Sequence, residues 1–294
     1  MKKVLSFLFI GGDLRQLRAA EDFAKDGHSV CVYGMEKTEN GYIKHTENPE
    51  GEFSKADVVV LPLPYSIDKE KIYAPFSKID IYISEIKDKL RKEQILLVGK
   101  ADMELKLFAE MKGICLIDYL NREEFAVLNS IPTAEGAIAV AMNQTTHTIH
   151  SSNCLVLGYG RIGKVLAKSL KGLGANCTVA VRKYKDLAWL SADGIDGTFF
   201  SNLDEKIGKY NIIFNTVPET VLDFNRLSKI SPDCLIIDLA SRPGGVDIET
   251  AARLGRNVIS ALSLPGKVAP DTAGDIVKTT ISNILEEMEV SGVE

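Results

Sequence analysis

Gly158-Tyr159-Gly160-Arg161-Ile162-Gly163 stands between an apolar run at 154–157 and an amphipathic stretch at 162–173. A G-x-G-x-x-G placed between a strand and a helix constrains the fold more than any other feature of the chain. Gly158 allows a sharp turn, Gly160 lets the backbone approach a pyrophosphate, and Gly163 lets the helix pack closely on the strand. The helix N-terminus then offers unpaired N–H groups and partial positive charge to phosphates. Residues 153–182 therefore read as a dinucleotide-binding strand–turn–helix–strand unit. The alternative, a glycine-rich turn with no ligand, leaves the flanking pattern unexplained.

The end of the next strand bears on which dinucleotide. An NAD site usually places Asp or Glu there, to accept from the ribose 2′-OH. Here Thr178-Val179-Ala180-Val181 runs into Arg182-Lys183, 19 residues past Gly163. Arg182 offers a planar fork of donors to a 2′-phosphate, with Lys183 as a nearby point charge. The spacing thus predicts NADP(H); a solvated basic turn is the alternative. Tyr159 and Tyr184 are candidates to border the adenine.

The rest of the chain repeats the strand–helix alternation that builds parallel sheets. Strands are expected at 4–10, 29–33, 57–61, 79–83, 95–98 and 114–117, then at 154–157, 177–181, 212–215, 235–238 and 257–260. Leu14, Leu17, Ala20 and Ala24 give helical spacing over 14–25, with Gly27 as a stop. A helix over 101–111 is closed by Gly113. Segments 122–128 and 133–147 flank Ile131-Pro132, where Pro132 is expected to open a helix carrying Glu135 in its first turn.

The fold class expected is α/β: two Rossmann-like doubly wound parallel-sheet domains with a cleft between them. The 294 residues suit two such domains of roughly 130–150 residues each. Their expected spans are 1–132 and 153–271, with a linking helix at 133–152. A last helix at 272–294 is expected to cross back to the first domain, as in two-domain dehydrogenases.

Several classes of function are disfavoured. Net charge is −5 with Lys and Arg scattered, so no nucleic-acid surface is expected. No apolar run is read as approaching a membrane span, and the start, MKKVLSFLFIGGD, reads as a buried strand and not as a signal peptide. Five cysteines, Cys31, Cys115, Cys154, Cys177 and Cys234, show no C-x-x-C spacing and read as buried thiols in a reducing compartment. His147 and His150 are three apart near the end of the linking helix, with no acid cluster beside them, so no metal is expected.

Ligands bind outside the carboxyl ends of parallel strands. Three such ends in the second half therefore join the glycine turn: Asn215-Thr216-Val217-Pro218, Asp238-Leu239-Ala240-Ser241-Arg242-Pro243-Gly244-Gly245, and 264–270 with Lys267. Thr216, Val217, Pro218, Leu239 and Ala240 are expected to border the cofactor. In the first half, Gly11-Gly12-Asp13-Leu14-Arg15-Gln16 imitates a phosphate turn but lacks the third glycine. Arg15 in a first helical turn opposes the helix dipole. It is expected to serve elsewhere, for instance by meeting a carboxylate across the cleft; the alternative is a surface Arg beside an N-cap Asp13.

Six ordered motifs, IGGDLRQ, IPTAEGAIAVAM, LGYGRIGKVLA, FNTVPETV, IDLASRPGGVD and LPGKVAPDTAG, run nearly from end to end. Together they resemble the A subunit of dipicolinate synthase, the dehydrogenase-like component found in sporulating Firmicutes. The resemblance implies a partner, the flavoprotein-like B subunit of the same synthase, and the oxidation of a dihydrodipicolinate-type intermediate of the lysine branch to dipicolinate. NADP+ would accept the hydride, in the mother-cell cytoplasm during sporulation; self-association is left open. A cyclic dicarboxylate needs cationic or N–H-rich loops, and Arg15, Arg242, Lys267 and the Gly244-Gly245 backbone are candidates, with Asp13 and Thr133 completing the set. Asp238, Glu135 and His147 are unranked candidate proton acceptors.

Two other readings stay open. The segment ASRPGGVDIETAARLG also resembles the arginine loop of D-2-hydroxyacid dehydrogenases. That chemistry needs a histidine in the loop after the next strand, which here reads ALSLPGKVAP. A non-catalytic NADP(H)-binding partner of a flavoprotein is the second.

Overall fold

Parallel strands buried on both faces need apolar side chains at consecutive positions, and the short apolar runs of this chain assemble in that way. The computed structural model describes residues 4–38 and 41–291. The chain divides into two compact units, Met1–Leu128 with Ala269–Glu294, and Asn129–Val268.

In the first unit β1 (Ser6–Ile10), β2 (Ser29–Tyr33), β3 (Lys44–Thr46), β4 (Val58–Val60), β5 (Ile95–Val98) and β6 (Cys115–Asp118) form one parallel sheet ordered β3-β2-β1-β4-β5-β6. Its helices are α1 (Leu14–Lys25), α2 (Glu50–Phe53), α3 (Ile83–Lys89) and α4 (Met103–Lys112). The chain enters the second unit within α5 (Glu123–Gln144) and leaves it after Val268. There β7 (Asn153–Leu157), β8 (Asn176–Val181), β9 (Asp196–Phe199), β10 (Ile212–Asn215), β11 (Leu235–Asp238) and β12 (Asn257–Ser260) form a second parallel sheet ordered β12-β11-β10-β7-β8-β9. Its helices are α6 (Arg161–Gly172), α7 (Tyr184–Ala192), α8 (Phe224–Leu227), α9 (Ile248–Arg253) and α10 (Leu264–Val268). The last helix, α11 (Pro270–Ser291), belongs to the first unit.

Strand alternation divides each core in two. On β1, Phe7 and Phe9 face a cluster with Leu17, Ala20 and Phe23 of α1, while Leu8 and Ile10 face the opposite one. Ile276, Val277, Ile281 and Ile284 of α11 pack into the same cluster as Phe7 and Phe9. Each such fully buried side chain contributes about 1.5–3 kcal/mol. On β7, Cys154 and Val156 meet Leu166, Ala167 and Leu170 of α6, and Leu155 and Leu157 point the other way.

The structure departs from the sequence reading in several places. The run at 79–83 is not a strand, because β4 pairs directly with β5 and leaves it no place in the sheet. It makes the bridge Lys71↔Tyr82 before α3 begins, and its alternation survives only as buried Ile81 and Ile83 flanking exposed Tyr82, while Ile79 is exposed. Two unexpected strands, β3 and β9, complete the sheets at their edges, where short polar segments suffice.

Pro132 does not open a helix; it lies inside the continuous 22-residue α5. A mid-helix proline costs about 3 kcal/mol, offset here by burial of Ala134, Ala137, Ile138 and Ala141 in the core of the second unit. The Thr133 hydroxyl donates to the Asn129 carbonyl at 2.7 Å beside the break. Read as one helix, α5 has a window of mean hydropathy 1.4, long and apolar enough by length and composition to cross a membrane, and half of that window is buried. The expectation that no run approaches a membrane span is corrected accordingly. Finally, α5 ends at Gln144, so His147 and His150 lie in the loop beyond it and not on a shared helical face.

All five cysteines are free. Burial pushes the thiols of Cys154, Cys177 and Cys234 up to about 12 and that of Cys31 to about 11. Near neutral pH, Ellman's reagent should therefore reach half-buried Cys115 first and the other four only after denaturant is added. Fast reaction of all five in the native protein would contradict this packing.

Candidate dinucleotide-binding site

The glycines of the second unit answer to specific contacts. Gly158 adopts φ +95°, and a Cβ there would lie 2.7 Å from Thr216 Oγ1 and 2.9 Å from a Val217 methyl. A Cβ on Gly163 would collide with the Gly158 carbonyl oxygen. Gly160 differs: a Cβ there would meet nothing within 4 Å, so the turn is open on that side. Gly160 is also the N-cap of α6 and supplies no side-chain acceptor. An open turn facing an uncapped helix N-terminus fits a dinucleotide pyrophosphate.

Neighbouring strand ends complete the rim. Thr216 donates its hydroxyl to the Leu157 carbonyl at 2.8 Å, tying the end of β10 to the end of β7. Val217 is buried beside the turn and Pro218 is exposed. Arg161 is exposed and Ile162 half-buried at the start of α6. At the end of β8, Arg182 and Lys183 are both exposed, and Arg182 Nη1 donates to Glu219 Oε2 at 3.1 Å. Tyr184 is 82% exposed and sets its ring edge-on to Phe199 at 4.9 Å. Tyr159 is less available: its hydroxyl donates to Asp193 at 3.0 Å, and Lys164 lies over its ring. Burial, then that bond to an anionic acceptor, pushes the Tyr159 phenol up to about 12.

Asp238 is placed at a strand end, but as a clamp. It is 4% exposed and pairs in register with Asn215. Its Oδ1 accepts from Asn215 Nδ2 at 2.8 Å and from the Ala240 N–H at 3.2 Å, while Oδ2 accepts from the Gly245 N–H at 3.1 Å. A Cβ on Gly244 would lie 2.9 Å from Asp238 Oδ2, and one on Gly245 would collide with Asn215 and the Val217 carbonyl. The carboxylate read from sequence as a candidate base is thus committed to holding the loop at 239–245. Leu239 and Ala240 are buried at the root of that loop, and Arg242 is exposed at its tip.

The remaining candidates separate. Gly136 of α5 lies against Leu264 and Val268 of α10, where a Cβ would sit 3.0 Å from each. Exposed Glu135 and Lys267 therefore stand on two helices that meet. The Thr133 hydroxyl is already bonded within α5. His147 is placed elsewhere: it lines a cavity of about 590 Å³ with Asn211, Leu235 and Asn257, at the amino ends of β10, β11 and β12. The glycine turn and Asp238 lie at the carboxyl ends, so His147 is on the far edge of the sheet.

In the first unit the look-alike turn is already satisfied. Gly11 N–H donates to the Tyr33 carbonyl at 2.8 Å and Gly12 N–H to the Tyr73 carbonyl at 2.7 Å. Asp13 caps α1 through Arg15 N–H at 3.1 Å. Arg15 is 7% exposed, and its Nε and Nη2 donate to Asp13 at 2.9 and 2.7 Å, with a further bond to the Leu63 carbonyl at 2.8 Å. Burial works against the guanidinium charge, and the Asp13 carboxylate more than compensates, so its pKa is raised. The Arg15 guanidinium is thus engaged by its own neighbour Asp13 and by the Leu63 carbonyl, and not by a carboxylate across a cleft. The Gln16 amide, turned to satisfy both sides, donates to Asp13 at 3.1 Å and accepts from Leu63 N–H at 3.2 Å.

Sequence reasoning did not single out Glu219 or Tyr73, and it named Asn215 as part of a strand end without its bond to Asp238. Glu219 is visible within FNTVPETV, but its pairing with Arg182 depends on β7 lying between β8 and β10.

Over 288 residues the chain is 32% identical to the dipicolinate synthase A subunit of Bacillus subtilis (strain 168), covering 97% of both chains. The chain belongs to the family of dipicolinate synthase A subunits. The family model for the N-terminal domain of these A subunits matches residues 6–120. The crystal structure of the Bacillus subtilis dipicolinate synthase A chain superposes with a TM-score of 0.89 at 31% identity, covering 99% of each chain. That of the dipicolinate synthase A subunit from Bacillus halodurans gives 0.89 at 29%, covering 96% of this chain and 99% of its own. A transhydrogenase from Sinorhizobium meliloti, at 14% identity and a TM-score of 0.69 over 96% of this chain and 94% of its own, shares the fold. The six motifs read from sequence thus lie in a family member, with both doubly wound sheets present.

Proposed function

We propose that this chain binds NADP(H) and, with a partner subunit, oxidises a dihydrodipicolinate-type cyclic dicarboxylate to dipicolinate. One observation carries the cofactor half: an exposed Arg182 at the end of β8, beside an open glycine turn and an uncapped α6. The family carries the substrate half, since its members are dipicolinate synthase subunits. Their designation as the A component supports an assembly with a second chain, which we take to be the flavoprotein-like B subunit. The setting is the mother-cell cytoplasm during sporulation.

The residues present fit the cofactor. The amides of the Gly158–Gly163 turn and the first turn of α6 receive the pyrophosphate, Arg182 and Lys183 the 2′-phosphate, and Thr216 to Pro218 border the ribose. When bound, the nicotinamide ring supplies hydride acceptance. The chain's remaining work is positioning, because aromatisation of the dihydro ring favours loss of hydride and proton. Exposed Arg242 and Lys267 attract the substrate carboxylates, and the Gly244-Gly245 backbone holds Arg242 through the Asp238 clamp. Glu135 is the proton acceptor retained: it is exposed, whereas Asp238 is committed to its loop and His147 lies at the far edge. That same scarcity of bases favours a second reading, in which the chain binds NADP(H) and the partner performs the chemistry.

The deciding assay supplies the purified chain with NADP+ and freshly generated dihydrodipicolinate, first without and then with the partner, following NADPH formation. Dipicolinate formation coupled to NADPH in the mixture is the expected result, and the same by the lone chain would exclude the second reading. Turnover only in the mixture would leave the second reading standing, since either subunit could then carry the chemistry, and no NADP+ reduction in either would end the proposal.

A further inference from the structure

β7 carries the glycine turn and is flanked in the sheet by β8 on one side and β10 on the other. Arg182 follows the first of these and Glu219 the second. Their side chains meet at 3.1 Å, so the pair bridges the two strands that border β7. The β10 loop that presents Glu219 is pinned beside the glycine turn, because Thr216 bonds Leu157 and Val217 lies against Gly158.

Both partners are about two thirds exposed, at 66% and 69%. Such pairs are screened and readily exchanged. A phosphate dianion competes well for the guanidinium, since it brings more charge and several acceptor oxygens. The carboxylate affects the two dinucleotides oppositely. It repels a 2′-phosphate, but it accepts from a ribose 2′-OH as an acid at the end of β8 would.

We propose that Glu219 is a specificity-determining residue: it occupies Arg182 in the free protein, competes with the 2′-phosphate for it, and thereby lowers the preference for NADP(H) over NAD(H). This rests on the NADP(H) reading above.

The test is the affinity of the purified full chain for NADPH and for NADH, by nicotinamide fluorescence, in the wild type, Glu219→Gln and Arg182→Gln. Removing one full charge a few ångströms from a phosphate near the surface is worth roughly a 3–10-fold change in affinity. Glu219→Gln should therefore tighten NADPH by about that factor, while NADH is unchanged or weakened up to about threefold. Unchanged or weaker NADPH binding in this variant, or equal gains for both nucleotides, would overturn the inference. Arg182→Gln keeps the two ideas apart. If it weakens NADPH while Glu219→Gln is silent, the NADP(H) reading survives and the role of Glu219 falls. If it leaves NADPH unaffected, the NADP(H) reading itself falls.

Discussion

Arg182→Asp is expected to weaken NADPH binding roughly 30-fold while changing NADH binding by less than about threefold. A hydrogen bond to a charged group contributes about 1.5–3 kcal/mol, and each 1.4 kcal/mol is about tenfold in affinity. The substitution removes that bond and adds a carboxylate next to Glu219, so two acids would face the 2′-phosphate. NADH carries no phosphate there and its ribose hydroxyl tolerates an acid. Titrating both nucleotides against both proteins checks this. Equal losses for NADPH and NADH would mean that the guanidinium does not touch the 2′-phosphate. Since Arg182 is exposed and contacts Glu219 across the strand ends, its replacement should leave the thermal midpoint of unfolding nearly unchanged.

Asp238→Ala should have the opposite profile, with stability as its principal loss. Its carboxylate accepts from Asn215, Ala240 and Gly245, and all three donors are buried. Leaving buried donors unpaired costs about 1–3 kcal/mol each, and because such losses are not additive a total of about 3–5 kcal/mol is expected. For a chain of this size each kcal/mol lowers the thermal midpoint by about 2–4 °C, so a fall of roughly 10 °C or more should appear by calorimetry. Asp238→Asn keeps the shape and one acceptor and should lose less than half as much. A group acting as a base would behave otherwise: turnover would vanish with the midpoint unmoved, and that result would return Asp238 to catalysis.

What could be read from the amino acids depended on how local each cause was. The glycine turn was legible because Gly158 at φ +95° and Gly163 against the Gly158 carbonyl exclude every other residue within a few positions of the chain. Strands β1, β7 and β10 were legible because both faces are covered and the runs are continuously apolar. The edge strands β3 and β9 carry no such signal, since Lys44–Thr46 and Asp196–Phe199 face solvent in part and need no apolar pattern. Pro132 followed a local rule that burial of the same helix overrode. For Arg15 the dipole argument pointed to a carboxylate across the cleft, whereas the guanidinium is held by Asp13 two residues earlier and by the Leu63 carbonyl. Asp238 was the right residue type in the right loop, but its occupancy depends on Asn215 from another strand and Gly245 from the far side of the loop. The pairing of Glu219 with Arg182 became visible only once the strand order was known.

The two sheets are wound in the same order about β1 and β7, yet their first turns have different fates. In the first unit the Gly12 amide is taken by the Tyr73 carbonyl and Asp13 closes the helix end; in the second, Gly160 leaves its helix end open. Repetition of an architecture therefore does not double its ligand capacity. Of the two first turns, that of the first unit is capped by Asp13 and that of the second has no side-chain cap, so the proposed nucleotide is expected at the second, with the first winding serving as scaffold.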